Sequence, residues 1–198
     1  MIKSKHFSKS NIIFTVLMVL ALVTLVNPTA KSFFIRGLMS VGFFQPDPEG
    51  YLRHHKVIAT LPDYRYRDTS GHIIALSDLK HKVVFVNYWA TWCPPCLAEM
   101  PSINKLHEKF KNNPKIIFIM VDVDNDPAKA TAFLRKHNYN LPVYTTLNQL
   151  PDTLLDGTIP TTLVFDKTGV LKYNHSGASD YSSDSFKTFL NKEANKNF

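Results

Sequence analysis

Residues 83–96 read VVFVNYWATWCPPC, an apolar run that ends in two closely spaced cysteines. Val83 to Tyr88 has the length and the valine and aromatic content of a buried strand, and we expect it near the centre of a sheet. Pro94 to Phe110 then brings apolar residues at every third or fourth position, which predicts a helix with one buried stripe. The stripe comprises Leu97, Met100, Ile103, Leu106, His107 and Phe110. The two cysteines therefore lie where a strand gives way to a helix.

This position favours a reactive thiol. The first backbone N–H groups of a helix have no partner within it, and the helix dipole adds positive charge there. We therefore expect Cys93 to have a lowered pKa, to be the more exposed of the pair and to act as the nucleophile. Cys96, one turn into the helix, is positioned to attack the mixed disulfide and release the product. Pro94 and Pro95 suit the first helical turn and stiffen the ring that a disulfide would close.

Three other uses of the cysteine pair are alternatives with less support. A zinc site needs a second pair of Cys or His ligands at compatible spacing, and the eight histidines form no such pair. A purely structural disulfide would close a very short loop, which removes little chain entropy. Two free cysteines without a function fit poorly with Trp89 and Trp92, the only tryptophans of the chain, beside them. We expect no metal, and no cofactor other than the redox-active disulfide.

The flanking sequence alternates strand-length apolar runs with longer helical patterns, which is typical of an α/β domain. Before the strand and helix described above, we predict a hairpin of Leu61–Arg67 and His72–Leu76. After them come a second central strand (Ile116–Val123) and a helix capped by Asp126 (Pro127–His137). The chain then continues with a hairpin around Asp166–Gly169 (Thr161–Phe165 and Val170–Tyr173) and a closing helix (Ser182–Lys192) that buries Phe186, Phe189 and Leu190. This order predicts one mixed central sheet with helices on both faces, extended by an N-terminal β-hairpin.

The stretch from Val86 to Pro101, VNYWATWCPPCLAEMP, resembles the signature of the TlpA/ResA branch of thioredoxin-like proteins. The likeness extends roughly from Val57 to Leu190. The resemblance implies a thioredoxin-like fold, a membrane anchor or signal sequence, and an extracytoplasmic role that is often tied to cytochrome c maturation.

The resemblance also assigns roles to individual residues. Glu99 matches the family's acidic residue after the second cysteine, which is proposed to assist proton transfer or tune the cysteine pKa values; the alternative is an exposed helix glutamate. Pro160 matches the cis-proline that lies against the active-site disulfide and presents backbone to the substrate. Asn87 stands where cytosolic thioredoxin has a buried aspartate. Because an amide cannot relay a proton, Glu99 becomes the only nearby acid.

The resemblance places the client protein against the residues around the disulfide. The expected substrate-binding residues are Trp92, Pro94, Pro95, Ile159 and Pro160, beside the catalytic residues Cys93, Cys96 and Glu99. The expected partners are extracytoplasmic proteins with disulfides and a membrane thiol carrier that supplies electrons.

The N-terminus reads as a membrane anchor. The 21 residues between Lys9 and Lys31 are uncharged, and a helix of that length spans roughly 31 Å, close to the thickness of the bilayer hydrocarbon. The lysines before this run should stay cytoplasmic, which predicts a single pass through the cytoplasmic membrane and an extracytoplasmic or periplasmic domain. A cleaved signal peptide is the alternative, but Pro28-Thr29-Ala30 is a poor cleavage site. A buried soluble helix is disfavoured because the run has no recurring polar face.

These features divide the chain into an anchor or signal segment (1–30), a juxtamembrane linker (31–56) and a thioredoxin-like domain (57–198). Ser32 to Gly50 stays largely apolar until Pro46 and Pro48 interrupt it. This segment could lie on a membrane or form the first packed piece of the domain, and the sequence leaves both open.

The net charge of +7 does not indicate nucleic-acid binding. Five of the positive charges precede Asp47, the first acidic residue, so the remaining 18 basic and 16 acidic residues leave only +2. No basic run is interleaved with aromatic residues.

The leading hypothesis is an extracytoplasmic enzyme in which Cys93 attacks a client disulfide and Cys96 resolves the complex. Reduction is favoured over oxidation because no cationic residue lies between the cysteines. A non-catalytic redox sensor, switched by the same disulfide, is the alternative from another class. A copper carrier would need an additional ligand, and Met100 and His107 both fit the buried stripe instead.

Overall fold

The computed structural model describes residues 9–54, 63–148 and 157–196. The strands of this part of the chain are β1 (Arg65–Asp68), β2 (Ile73–Ala75), β3 (Val83–Trp89), β4 (Ile116–Asp122), β5 (Val143–Thr146), β6 (Thr161–Phe165) and β7 (Leu171–Ser176). The helices are α1 (Lys9–Val26), α2 (Pro28–Ser40), α3 (Pro48–His54), α4 (Pro94–Phe110), α5 (Pro127–Lys136) and α6 (Asp184–Asn195), with a 3₁₀ turn at Leu76–Leu79.

All seven strands form one mixed sheet in the order β2-β1-β5-β4-β3-β6-β7. The strands β3, β4 and β5 run parallel to one another, whereas β6 is antiparallel to β3 and β1 is antiparallel to β5. Every residue of β3 is buried, as expected for a strand inside the sheet. The active-site cysteines follow the carboxyl end of β3, with β4 on one side and β6 on the other.

Most predicted elements are confirmed. The helix α4 begins and ends at the predicted residues, and the predicted second hairpin and closing helix overlap β6, β7 and α6. The first hairpin is also present, although Leu61 and Pro62, its predicted start, lie outside the described residues. The strand β5 and the helices α2 and α3 were not predicted. The strand has only four residues, too few to show a period. The sequence predicts a break at Pro48, but this proline occupies the first position of α3, where the missing N–H costs little.

Helices were expected on both faces of the sheet; among the described residues, α4, α5 and α6 all pack on one face, and residues 149–156, between β5 and β6, lie outside the described residues. Alternate β3 residues, such as Phe85 and Trp89, share one core with buried residues of these three helices. The opposite residues, such as Val84 and Val86, pack with the 3₁₀ turn in a second core to which no described α-helix contributes a buried residue. Successive right-handed crossovers that step in one direction, from β3 to β4 to β5, place their helices on one face.

No single helix among the described residues is both long and apolar enough to cross a membrane. Lys9–Val23 and Pro28–Ser40 satisfy those criteria together, but the two segments bend by 102° at the break between them. The structure therefore does not support the predicted anchor as one straight helix. The break coincides with Asn27, whose side-chain oxygen accepts hydrogen bonds from the backbone N–H groups of Thr29 and Ala30 and so caps α2.

The segment predicted as a linker is packed against the domain. The guanidinium of Arg36 in α2 donates a hydrogen bond to the Leu97 carbonyl of α4 at 3.1 Å. Met39 is 5% exposed and shares a small core with Ala98 and Ala178. The structure therefore shows that α2 is a packed first piece of the domain, and this packing concerns only the face of α2 that carries Met39.

Candidate active site

The two cysteines form a disulfide at the start of α4, with their Cα atoms 5.3 Å apart. Cys93 is the N-cap residue of the helix, and its sulfur accepts a hydrogen bond from the backbone N–H of Cys96 at 3.2 Å. An N–H group that donates to this sulfur would also stabilise a thiolate in the reduced state. Cys93 is 3% exposed and Cys96 is fully buried, so both side chains lie in the core and Cys93 is only slightly the more exposed of the two.

A cis peptide bond joins Ile159 to Pro160, as the resemblance implies. The Ile159 carbonyl oxygen lies 3.7 Å from the Cys93 sulfur. The oxidised sulfur carries no proton, so this is a close contact and not a hydrogen bond. The loop that precedes β6 therefore places backbone directly beside Cys93.

Trp92 and the two prolines form the surface around the disulfide. The Trp92 side chain is 54% exposed, and its indole N–H donates to both carboxylate oxygens of Asp124, at 2.9 and 3.1 Å. Pro94 and Pro95 are each half-buried. Trp89, by contrast, is fully buried in the core. The structure thus brings the expected substrate-binding residues together at one end of β3 and α4.

Glu99 is not an exposed helix residue, because its side chain is fully buried. One carboxyl oxygen accepts a hydrogen bond from the Asn87 amide at 2.8 Å, and the other accepts one from the Ser179 backbone N–H at 3.3 Å. Burial raises its pKa to about 8, although both hydrogen bonds oppose the shift. Glu99 lies one helical turn after Cys96, so a carboxylic acid that holds its proton near neutral pH sits on the same side of α4.

Several buried polar residues that the sequence analysis missed surround Glu99. The Asn87 amide also donates to the Thr162 hydroxyl at 2.9 Å, which links β3 to β6. Tyr173 and Tyr181 are buried as well, and the pKa of each phenol is raised mainly by burial and further by the nearby Glu99 carboxylate. No local pattern identifies these residues, because they come from separate elements and meet only in the folded domain.

Within the described residues, no three His, Cys, Asp or Glu side chains come together in an arrangement that could hold a metal ion. Met100 is fully buried, and the His107 ring packs edge-on against Phe118 at 5.1 Å between ring centroids. Burial lowers the pKa of His107 below its ordinary value. Met100 therefore belongs to the core, and the His107 ring is partly buried against Phe118 at the edge of that core.

Residues 56–190 match the family model for Redoxin, which covers more than half of the chain. The chain belongs to the Redoxin family. Its disulfide at a helix N-terminus and the cis-proline beside it lie within the matched Redoxin segment. Among relatives, the chain is 35% identical over 109 residues to thiol-disulfide oxidoreductase ResA of Bacillus cereus. That match covers 54% of this chain and 62% of the relative, so the chain spans just under two thirds of the length of that protein.

Other relatives and solved structures agree with the resemblance seen in the sequence. ResA of Geobacillus kaustophilus is 34% identical over 115 residues, which cover 58% of this chain and 66% of that protein. A crystal structure of a candidate thiol-disulfide oxidoreductase from Bacteroides vulgatus is 26% identical, covers 68% of this chain and 94% of its own, and has a TM-score of 0.57. A solution structure of a candidate protein disulfide isomerase from Bacteroides thetaiotaomicron has a TM-score of 0.61 at 23% identity, over 72% of this chain and 92% of its own. The thioredoxin-like fold and the likeness to ResA are thereby confirmed.

Proposed function

We propose that this protein is a ResA-type thiol-disulfide oxidoreductase that reduces disulfides in client proteins. The observation that carries the proposal is the Cys93–Cys96 disulfide at the N-terminus of α4, with the Cys93 sulfur 3.7 Å from the Ile159 carbonyl oxygen. The names of the Bacillus and Geobacillus relatives support the same reaction class.

The proposed reaction starts from the reduced protein. The Cys93 thiolate attacks one sulfur of the client disulfide, so a mixed disulfide forms and the first client thiolate leaves. The Cys96 thiolate then attacks the Cys93 sulfur, which closes the internal disulfide and releases the second client thiolate. Two electrons pass to the client. The disulfide present in the structure is the oxidised product, and a dithiol donor must reduce it before the next cycle.

Glu99 is suited to accept the proton of the Cys96 thiol and to return it. As Cys96 turns from thiol to attacking thiolate, a proton must leave a site that is closed to solvent. A carboxyl group with a pKa of about 8 can accept and return a proton near neutral pH, whereas Asn87 beside it cannot. Its hydrogen bonds to β3 and to the loop before α6 hold the carboxyl group in place.

We propose a location outside the cytoplasm, with the N-terminal helices at the cytoplasmic membrane and a membrane thiol carrier as electron donor. The uncharged run after Lys9 and the similarity to ResA support this location. Cytochrome c apoprotein is a candidate client on the basis of the TlpA/ResA resemblance.

Turnover with a model disulfide substrate tests the proposed activity. The reduced protein should accelerate insulin reduction by dithiothreitol over many cycles, and both Cys93→Ser and Cys96→Ser should reduce the rate to the uncatalysed level. Only Cys96→Ser should accumulate a stable mixed disulfide with clients in the native host, because Cys93 still attacks but nothing resolves the product. A single change of redox state without turnover would contradict the enzyme and favour a redox sensor.

A further inference from the structure

The helix α2 has two apolar faces on opposite sides. One face packs against the domain through Ile35 and Met39, which belong with Ala98 to the small core beside the active-site helix. The other face carries Phe33 and Phe34, which are 66% and 65% exposed. At about 100° per residue, the exposed phenylalanines lie opposite the packed residues. A soluble surface helix normally has one apolar face and one polar face, so α2 has an apolar surface in excess of what the domain buries.

The exposed apolar surface continues beyond the phenylalanines. Gly37 lies on the same face, and Val41 and Phe43, directly after the helix, are 71% and 60% exposed. The charge of the region is uniformly positive, because no acidic residue precedes Asp47. Lys31 is exposed on α2. An apolar surface with basic neighbours fits a lipid headgroup layer better than it fits water.

The adjoining helix indicates what covers this surface. The large apolar residues of α1 from Ile12 to Val23 are 48–66% exposed, and they occur at successive positions that cover the whole circumference of the helix. A protein partner or a second copy would cover one side of such a helix and leave the others in water, whereas lipid surrounds it completely. The bend of 102° between the two segments places α2 close to the bilayer plane if α1 points into the bilayer.

We propose that α2 lies on the bilayer surface with Phe33 and Phe34 inserted among the lipids, and that it fixes the active-site helix at a set distance from the membrane. The inference rests on the membrane location given under the proposed function. The contacts of α2 reach α4 at Leu97 and Ala98, the two residues directly after Cys96. The disulfide is therefore held at the membrane by packed structure and not by a linker, which suits exchange with a membrane-bound thiol carrier.

Lipid quenching of a tryptophan introduced in α2 tests this placement. The full chain with Phe34→Trp is reconstituted into vesicles of phosphatidylcholine and phosphatidylglycerol that carry bromine near the headgroup end of the acyl chains. The control is Ile73→Trp, since Ile73 is 55% exposed on β2 at the far edge of the sheet. The parent chain in the same vesicles gives the contribution of Trp89 and Trp92, which is subtracted.

The added emission of Phe34→Trp should fall by at least about half in brominated vesicles, because interfacial helices bury their apolar face about 5–10 Å deep. The emission of Ile73→Trp should be unchanged by bromine but quenched by aqueous acrylamide. A second outcome is that the chain floats with the vesicles but Phe34→Trp is quenched by acrylamide and not by bromine. That result overturns the placement of α2 on the bilayer and leaves the membrane location intact. Protection of Phe34→Trp from both quenchers overturns it in favour of a protein partner. A chain that fails to float with vesicles overturns the membrane location as well.

Discussion

Cys93 and Cys96 differ in environment although only two prolines separate them. Cys93 precedes the first turn of α4, where its sulfur receives a backbone N–H and keeps a small accessible surface. Cys96 lies inside the helix and is closed to solvent. The proposed division into an attacking and a resolving thiol rests on this difference of one helical turn.

Glu99 should make the stability of the protein depend on pH in an unusual direction. The folded protein holds the Glu99 proton up to about pH 8, whereas the unfolded chain releases it near the ordinary value of 4.5. Unfolding therefore releases a proton between these values, and the free energy of unfolding falls as pH rises through that window, by on the order of 5 kcal/mol. Glu99→Gln should abolish this fall.

Urea unfolding at several pH values, followed by tryptophan fluorescence, measures the effect. Glu108→Gln is the matched control, because Glu108 is an exposed glutamate on the same helix and should leave the pH dependence in place. If the wild type and Glu99→Gln lost stability equally between about pH 5 and 8, Glu99 would not be the group responsible. Glu99→Gln should also slow client release more than client attack, since the proton in question belongs to Cys96.

At the scale of elements, the hairpin of β6 and β7 depends on one buried carboxylate. Asp166 is 1% exposed and accepts hydrogen bonds from the Thr168 backbone N–H at 2.8 Å and the Val170 backbone N–H at 3.0 Å. The Lys172 Nζ atom lies 3.2 Å from the Oδ2 atom of Asp166. Burial by itself would raise the pKa of Asp166, but these partners hold it below its ordinary value. The turn positions β6, and with it the loop that carries Pro160.

Asp166→Ala should lower the free energy of unfolding by about 2 kcal/mol, because it leaves two turn N–H groups and one lysine without their acceptor. Thermal and urea unfolding measure the loss, with exposed Asp78→Ala as the control that should change little. The contribution of Asp166 to the free energy of unfolding should disappear as pH falls through its lowered pKa, because protonation removes the charged acceptor. A loss no larger than that of the control would show that the turn forms without this carboxylate.

The packing of α2 gives a second prediction at this scale. Met39→Ala should cost about 2 kcal/mol of stability, because Met39 is buried in the core that it shares with Ala98. Phe34→Ala, measured in detergent micelles, should lower the free energy of unfolding much less than Met39→Ala, because Phe34 is 65% exposed. Equal effects of the two substitutions on urea unfolding would mean that α2 is not docked on α4 in solution.

For the whole molecule, the sequence predicted the central strand, the active-site helix and the cis-proline because each has a local signature. Those signatures are an apolar run, a three-to-four-residue period and a family motif. The shared helical face was not predictable in the same way, since it depends on the direction in which the crossovers step across the sheet. The four-residue strand β5 pairs with β1 on one side and with β4 on the other, and neither contact is visible in the local sequence.

In the active site, too, the residues of one short motif could be predicted from the sequence, whereas contacts between distant parts of the chain could not. Cys93, Cys96 and Trp92 follow from sixteen consecutive residues, and the structure places them together. The environment of Glu99 does not, because Thr162 in β6 and Ser179 and Tyr181 in the loop before α6 are far from Glu99 in the sequence. The docking of α2 depends on similarly distant contacts, so the predicted linker could not be recognised as part of the fold.

The central claim is that Cys93 is the reactive thiol of the pair. Its direct test is alkylation of the fully reduced protein with a limiting amount of iodoacetamide at neutral pH, followed by mass spectrometry of the peptides. The account predicts that Cys93 is carboxamidomethylated first while Cys96 stays unmodified until the protein is unfolded. Preferential modification of Cys96, or no modification of either thiol in the folded protein, would contradict it.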